Sequence, residues 1–211
     1  MELAKTLRYR HYGLDLVDAG RAGVSDPDGE LVVRIAAGDH DAARALLGRH
    51  LPRILNLSRR MLGSQSEAED VAQEVFLRVW THAERWKPGA AKFETWLHRV
   101  AINLCYDQLR KKRTARLDAV PEPADPGPGP AAALFQAQLG AAVDAALNAL
   151  PERQKEAIVL CHHQELSNID AAEVMGVSVE ALESLLSRGR RSLRERLRSL
   201  RADVLDAKSG V

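Results

Sequence analysis

Residues 166–197 read LSNIDAAEVMGVSVEALESLLSRGRRSLRERL, and within them Ala172, Gly176 and Leu182 stand at the offsets of a helix-turn-helix. That motif asks for a small residue where two helices cross, a glycine at the turn and a core leucine on the second helix. Ser178 is placed to cap the second helix, and Glu180 falls in its first turn, where a carboxylate suits the helix dipole. At 100° per residue Val179, Leu182, Leu185, Leu186, Leu193 and Leu197 make one buried stripe. Ser184, Arg188, Arg191 and Arg198 face away from it, as a helix entering a DNA major groove requires. The bland alternative is a helical hairpin with a solvated basic face. Turn chemistry, spacing and charge agree on the DNA-reading form.

The rest of the 211-residue chain fits around this segment as one large domain or two small ones. With 45% hydrophobic residues it can bury a core, which excludes wholesale disorder. No apolar run approaches the ~18 residues of a membrane span, and the first residues lack a signal-peptide core. Two cysteines, Cys105 and Cys161, build no disulfide framework and read as buried thiols. A cytoplasmic protein is expected. The formal charge of +1 hides a polarised distribution. Arg110, Lys111, Lys112, Arg113 and Arg116 crowd together without an acid, and arginines dominate from Arg188 to Arg201. Acids gather between Glu67 and Glu74 and around the central prolines. Two separated basic patches suggest two contacts with a polyanion, against the plainer reading of solvated helix faces.

Pro121, Pro123, Pro126, Pro128 and Pro130 mark a semi-extended linker at residues 117–130. It separates a domain at 28–116 from one at 131–211, and leaves residues 1–27 as an unassigned extension. Both domains read as all-α, since no window alternates with period two. Helices are expected over Asp28 to Ala37, Asp39 to Leu62, Ser66 to Trp86 and Lys92 to Arg113. Beyond the linker they are expected over Ala131 to Asn148, Pro151 to Gln164, Ser167 to Met175 and Ser178 to Leu200. Ser66 with Glu69 has capping-box spacing, Gly63 stops the helix before it, and Pro151 suits a first turn.

Two N-terminal helices carry chemistry. On Lys92 to Arg113 an apolar face (Leu97, Val100, Ala101, Leu104, Cys105) opposes Trp96, Arg99, Asn103, Tyr106, Asp107 and Arg110. Aromatic rings among guanidinium and amide groups suit single-stranded DNA: bases stack, the amide pairs and the cations hold phosphates. Lys111, Lys112 and Arg113 extend the phosphate track. The alternative is that Trp96 closes the core beneath the preceding loop. On Ser66 to Trp86, Leu77 projects from a polar side holding Asp70, Gln73, Glu74 and Arg78. That is either a solitary exposed leucine with a Glu74–Arg78 surface pair, or the anchor and rim of a protein interface. Sequence physics leaves this helix open.

No catalytic constellation emerges. His162 and His163 are adjacent, so on a helix they diverge by ~100° and share no metal, and Cys161 has no second ligand cluster. Glycine-rich phosphate loops, nucleophile elbows and HExxH are absent from the sequence. No enzyme, cofactor or metal is expected.

Three ordered segments, AEDVAQEVFLRVW (68–80), FETWLHRVAINLCYDQLRKKR (93–113) and LPERQKEAIVLCHHQELSNIDAAEVMGVSVEALESLLSRGRRSL (150–193), resemble the extracytoplasmic-function sigma factors of the bacterial sigma-70 family. The resemblance spans about residue 29 to 200. It implies an RNA polymerase initiation subunit with a region 2-like and a region 4-like helical domain. It implies docking on core RNA polymerase through Asp70, Gln73, Glu74 and Phe76, with Leu77 as the exposed anchor among them. It places Trp96, Arg99, Asn103, Tyr106, Asp107, Arg110, Lys111, Lys112 and Arg113 at the −10 element, where promoter DNA is melted. It places the helix-turn-helix at the −35 element, with Ser178, Glu183, Ser184, Ser187, Arg188 and Arg191 on the DNA-facing helix. It also implies a stress-response role and restraint by an anti-sigma factor. Glu183 and Ser187 depart from the basic and bulky residues common in the family, so a −35 preference does not carry over. The competing class, a helix-turn-helix regulator acting without polymerase, accounts for the C-terminal half only.

Overall fold

The computed structural model describes residues 26–89, 92–116, 140 and 142–209, with side chains described to 114 in the fourth helix and to 198 in the last. The proline run at 117–130 and the extension before Asp26 lie outside the described residues, as does the expected helix from Ala131 to 139. Among the described residues there are helices and turns and no strand. They fall into two compact units that part near Gln108.

The first unit begins with α1, Pro27–Ala36, whose proline sits in the first turn beside Asp28 and Glu30. Helix α2, His40–Leu62, starts at Asp39, whose carboxylate accepts from the backbone N–H of Asp41 (2.9 Å) and Ala42 (3.0 Å). The Ala42 amide, then the Arg34 guanidinium, hold the Asp39 carboxyl below the ordinary carboxylate range. Gly63, left-handed at φ 71°, stops α2.

Helix α3 is Gln65–His82, and its cap is Ser64, whose Oγ accepts from the Glu67 N–H. The expected Ser66–Glu69 box is therefore displaced: Ser64 and Glu67 carry the same three-residue spacing, and Ser66 lies within the first turn. Nor does the helix run to Trp86. It ends at His82 and tightens into a 3₁₀ turn, Ala83–Arg85, before Trp86 turns extended.

Helix α4, Phe93–Arg116, is capped from a distance: the Asp26 carboxylate accepts from the Phe93 N–H at 2.7 Å. Leu46, Ile54 and Leu57 of α2, Val71 and Val75 of α3, and Phe93, Leu97 and Ala101 of α4 make the core, each nearly or fully buried. Cys105 is buried with them, as expected. Asp28 ties α1 to α2 through Arg49 and through His50 Nε2 at 2.9 Å.

The second unit takes in the end of α4 from Leu109, and helical residues 142–148, here α5, follow. The next helix, expected from Pro151 to Gln164, is two pieces. Helix α6 covers Glu152–Ile158 with Pro151 as its cap residue, and a π-helical turn follows at Val159–His163. Helices α7, Asn168–Met175, and α8, Val179–Ser209, form the helix-turn-helix. Ala172 is buried at the crossing, Leu182 is fully buried, and Gly176 takes the turn at φ 64°, a conformation that a side chain disfavours.

Leu182 and Leu186 carry the buried stripe of α8, while Val179, Leu185, Leu193 and Leu197 are half-buried. Gly189 belongs to that stripe, because a Cβ there would stand 3.1 Å from Ile158 Cγ1 and 3.4 Å from the Gln154 carbonyl oxygen. A helix-interior glycine ordinarily costs ~1 kcal/mol; here it lets α6 approach. Gly189→Val should therefore destabilise the second unit by about 1–3 kcal/mol through overpacking. Thermal melts followed by circular dichroism check this, and an unchanged Tm would show that Ile158 moves aside freely.

Candidate nucleic-acid and protein interfaces

On α3 the side away from the core presents Asp70 and Gln73 to solvent, with Leu77 49% exposed among them. Glu74 is engaged: its Oε1 accepts from Arg78 Nε at 2.9 Å, the surface pair that the i,i+4 spacing allows. Such a pair contributes only about 0.2–0.5 kcal/mol, so another cation can displace it. Phe76 is different. It is 4% exposed and packs against Trp80, ring centroids 6.0 Å apart. As a surface contact Phe76 is corrected: Ala72 and Val79, one turn to either side of it, are buried as well, so its face is the core and the ring supports the helix from beneath.

Helix α4 separates its expected DNA-facing residues into two groups. Arg110, Lys111, Lys112 and Arg113 are exposed, and Asn103, Tyr106 and Asp107 are half-exposed, with Arg99 on the same side of the helix. Trp96 departs from expectation. Its ring meets Trp86 edge-on at 5.8 Å, Phe93 at 5.7 Å and His82 at 6.5 Å. Phe93 in turn touches Trp86 and His50, both at 5.6 Å. Trp96 thus closes an aromatic cluster beneath the loop between α3 and α4. The ring is half-buried: the cluster holds part of it, and the rest stays at the surface on the same helix as Asn103.

His82 sits at the edge of this cluster. Burial pulls its pKa below the ordinary 6.5; a hydrogen bond to the Arg78 carbonyl opposes this, and the charges of Arg85 and Arg78 add to it. The unfolded chain then binds the proton more readily than the folded one. The contribution of a neutral His82 is complete above pH ~6.5 and falls as pH drops through the lower, folded value. Urea titrations between pH 7.5 and 5 should show a shallower loss of stability for His82→Gln than for the unchanged chain. Parallel curves would remove His82 as a cause.

On α8 the Ser178 hydroxyl accepts from the Ala181 N–H at 3.2 Å, so capping is its first task. Hydrogen bonds to its carboxylate from its own N–H, then from the Ser178 hydroxyl, lower the Glu180 pKa against a smaller opposing effect of burial. Ser184, Ser187, Arg188 and Arg191 are exposed on consecutive turns. Glu183 is exposed and bonded to Asn168 Nδ2 at 3.3 Å. Sequence reasoning missed Asn168, Arg190 and Arg194, which share a hollow with Glu183. An asparagine opening a helix looks like a cap, and nothing local reveals a partner fifteen positions away. Cys161, expected in the core, is half-buried beside Asn168. His162 and His163 are exposed. Among the described residues no three His, Cys, Asp or Glu side chains gather as metal ligands, and no helix is long and apolar enough to cross a membrane.

Two stretches of the chain match known families, in order along it. Residues 46–115 match the Sigma-70 region 2 family, and residues 140–193 match Sigma-70, region 4. The ECF RNA polymerase sigma factor SigE of Mycolicibacterium smegmatis is 36% identical over 77% of this chain and 65% of its own length. SigW of Bacillus subtilis is 32% identical over 80% of this chain and 96% of its own. Among solved structures, CnrH in complex with the cytosolic domain of CnrY aligns with a TM-score of 0.63 at 27% identity, covering 82% of this chain and 97% of that one. RpoE of Bartonella quintana, bound to the anti-sigma factor NepR, aligns at 0.59 and 25% identity, covering 74% and 96%. Two region matches in this order, with SigW 32% identical over nearly its whole length, leave one conclusion: the chain belongs to the extracytoplasmic-function sigma factors of the sigma-70 family.

Proposed function

We propose that this sigma factor binds core RNA polymerase through the exposed side of α3, opens promoter DNA at the −10 element with α4, and reads the −35 element with α8. The observation that carries it is the pairing of region 2 and region 4 on one chain, with a solvent-facing leucine in an acidic rim on the first and a basic helix-turn-helix on the second. Residues 28–116 and 131–211 are the two working domains, and 117–130 joins them. Asp70, Gln73, Glu74 and Leu77 make the polymerase contact, with Phe76 beneath them. Asn103, Tyr106, Asp107 and the basic run from Arg110 to Arg113 meet the −10 strand, and Arg99 supports it. Ser184, Ser187, Arg188 and Arg191 meet the −35 groove, beside Glu183 and the cap Ser178.

The protein carries out no reaction of its own; the polymerase supplies the chemistry. It works in the cytoplasm and serves a stress response. An anti-sigma factor holds it off, as NepR is bound to the similar RpoE. A regulator acting without polymerase leaves the region 2 half idle. The test is run-off transcription on the DNA upstream of its own gene. Core enzyme with the full chain should give a defined transcript and core enzyme alone none. Tight duplex binding by the free chain, with no transcript on adding core, would sink the proposal.

A further inference from the structure

The two helices of the helix-turn-helix are joined by a polar contact that groove entry does not require. Asn168, the first residue of α7, donates from Nδ2 to Oε1 of Glu183 on α8 at 3.3 Å. Its Oδ1 faces the Cys161 thiol at 3.9 Å, within reach of a weak S–H donor. Burial pushes the Cys161 pKa above its ordinary 9.0, against the pull of Arg190, so the sulfur keeps its proton at neutral pH. The orientation of the amide follows from its neighbours. An ionised carboxylate offers only acceptors, so the NH₂ group must face Glu183 and the carbonyl the thiol. This bond, between two exposed side chains, gives Glu183 a preferred orientation over the surface.

Asn168 and Glu183 line a hollow of about 540 Å³ with Ser187, Arg190, Arg191 and Arg194. Three guanidinium groups border the hollow, yet among the described residues Glu183 hydrogen-bonds to an amide and forms no ion pair with them. A carboxylate on a groove-entering helix is repelled by phosphates and must meet a hydrogen-bond donor. In the major groove cytosine's own edge presents the N4 amino donor and no acceptor of its own. Adenine sets N6 next to the acceptor N7, guanine offers N7 and O6, and thymine offers O4. A carboxylate so oriented therefore selects cytosine, while the arginines of the hollow take flanking phosphates.

We propose that Glu183 is a specificity-determining residue that accepts a hydrogen bond from N4 of one −35 cytosine, and that Asn168 is the positioning residue that holds it there. The proposal rests on the reading of α8 as the −35 helix. It is tested with the full chain and core RNA polymerase on a promoter library randomised across the −35 element, transcripts being sequenced. The unchanged protein should favour cytosine at one position by about tenfold. Glu183→Gln, nearly isosteric, should move that single position towards adenine, whose N6 and N7 pair with a carboxamide. Asn168→Asp replaces the donor by a second carboxylate and should lower the cytosine preference severalfold without choosing another base. Neither change should shift any other position.

An unchanged base profile in Glu183→Gln would overturn the cytosine contact, and an unchanged profile in Asn168→Asp would overturn the positioning role. A promoter with its −35 element scrambled keeps the two levels apart. If scrambling abolishes the transcript while both profiles stay unchanged, this inference alone fails. If scrambling has no effect, the −35 reading of α8 fails and takes the inference with it.

Discussion

Trp96→Ala is expected to unfold the first unit at a temperature roughly 10 °C or more below that of the unchanged chain. The indole touches Trp86, Phe93 and His82, and Phe93 is fully buried at the centre of the cluster. Removing a large aromatic from such a site costs about 3 kcal/mol or more, through lost burial and the space left behind. In a domain of this size each kcal/mol moves Tm by about 4–8 °C. Trp86 tempers this cost. Its Nε1 is buried with no hydrogen-bond partner among the described residues, so water admitted by a looser cluster would offset a part of the loss. Asn103 lies two turns along the same side of α4, half-exposed and outside the cluster. Asn103→Ala should leave the melt unchanged and slow open-complex formation. Thermal melts and an open-complex assay on both variants separate the two roles. A Trp96→Ala protein that melts normally yet fails to open DNA would restore the indole to the DNA surface.

The contrast between these two residues shows what was legible. A helical wheel places both Trp96 and Asn103 beyond the apolar stripe of α4, and the wheel is right. What covers Trp96 arrives from outside the helix, from His82 and Trp86 across a loop. Periodicity describes one helix in isolation, so it assigns burial well at the middle of a stripe, as for Leu97 and Ala101, and poorly at its margin. Ser64 and Ser66 make a similar pair. Each stands three residues before a Glu (Glu67, Glu69), and only the backbone decides which serine precedes the first helical turn.

The second unit is more legible because its signals are local. Ala172, Gly176, Ser178 and Leu182 lie within eleven residues, and each answers to a conformational need of the turn itself. The π turn at Val159–His163 and the glycine at 189 were not readable. One extra residue in a helical turn leaves the apolar pattern nearly continuous. A helical glycine looks like a propensity cost until the facing Ile158 is known. The Asn168–Glu183 bond belongs with these, being a contact between helices.

Leu77→Arg should weaken binding to core polymerase about thirtyfold or more and leave the thermal melt where it was. Leu77 is 49% exposed, so in the free protein it holds little of the fold together. Burying its exposed half against a partner stabilises the complex by about 1 kcal/mol at ~25 cal/mol per Å². Leu77→Ala should thus cost about fivefold. Arginine does more than remove that burial. The rim of Asp70 and Glu74 is acidic and asks for a cationic partner surface, which a guanidinium at the centre repels as it is itself desolvated. Together these exceed ~2 kcal/mol, the scale of an interface hot spot. Phe76→Ala is the control on the other side of the helix: it should lower Tm first and affinity only in consequence, since the ring packs on Trp80. Affinity is read by titrating a fluorescent derivative of the chain with core enzyme, and folding by calorimetry. Promoter choice among the complexes that still form should not change, because Leu77 lies on a different helix from either DNA-reading face. Full affinity in Leu77→Arg would show that the polymerase docks elsewhere on the first unit and that the exposed leucine is incidental.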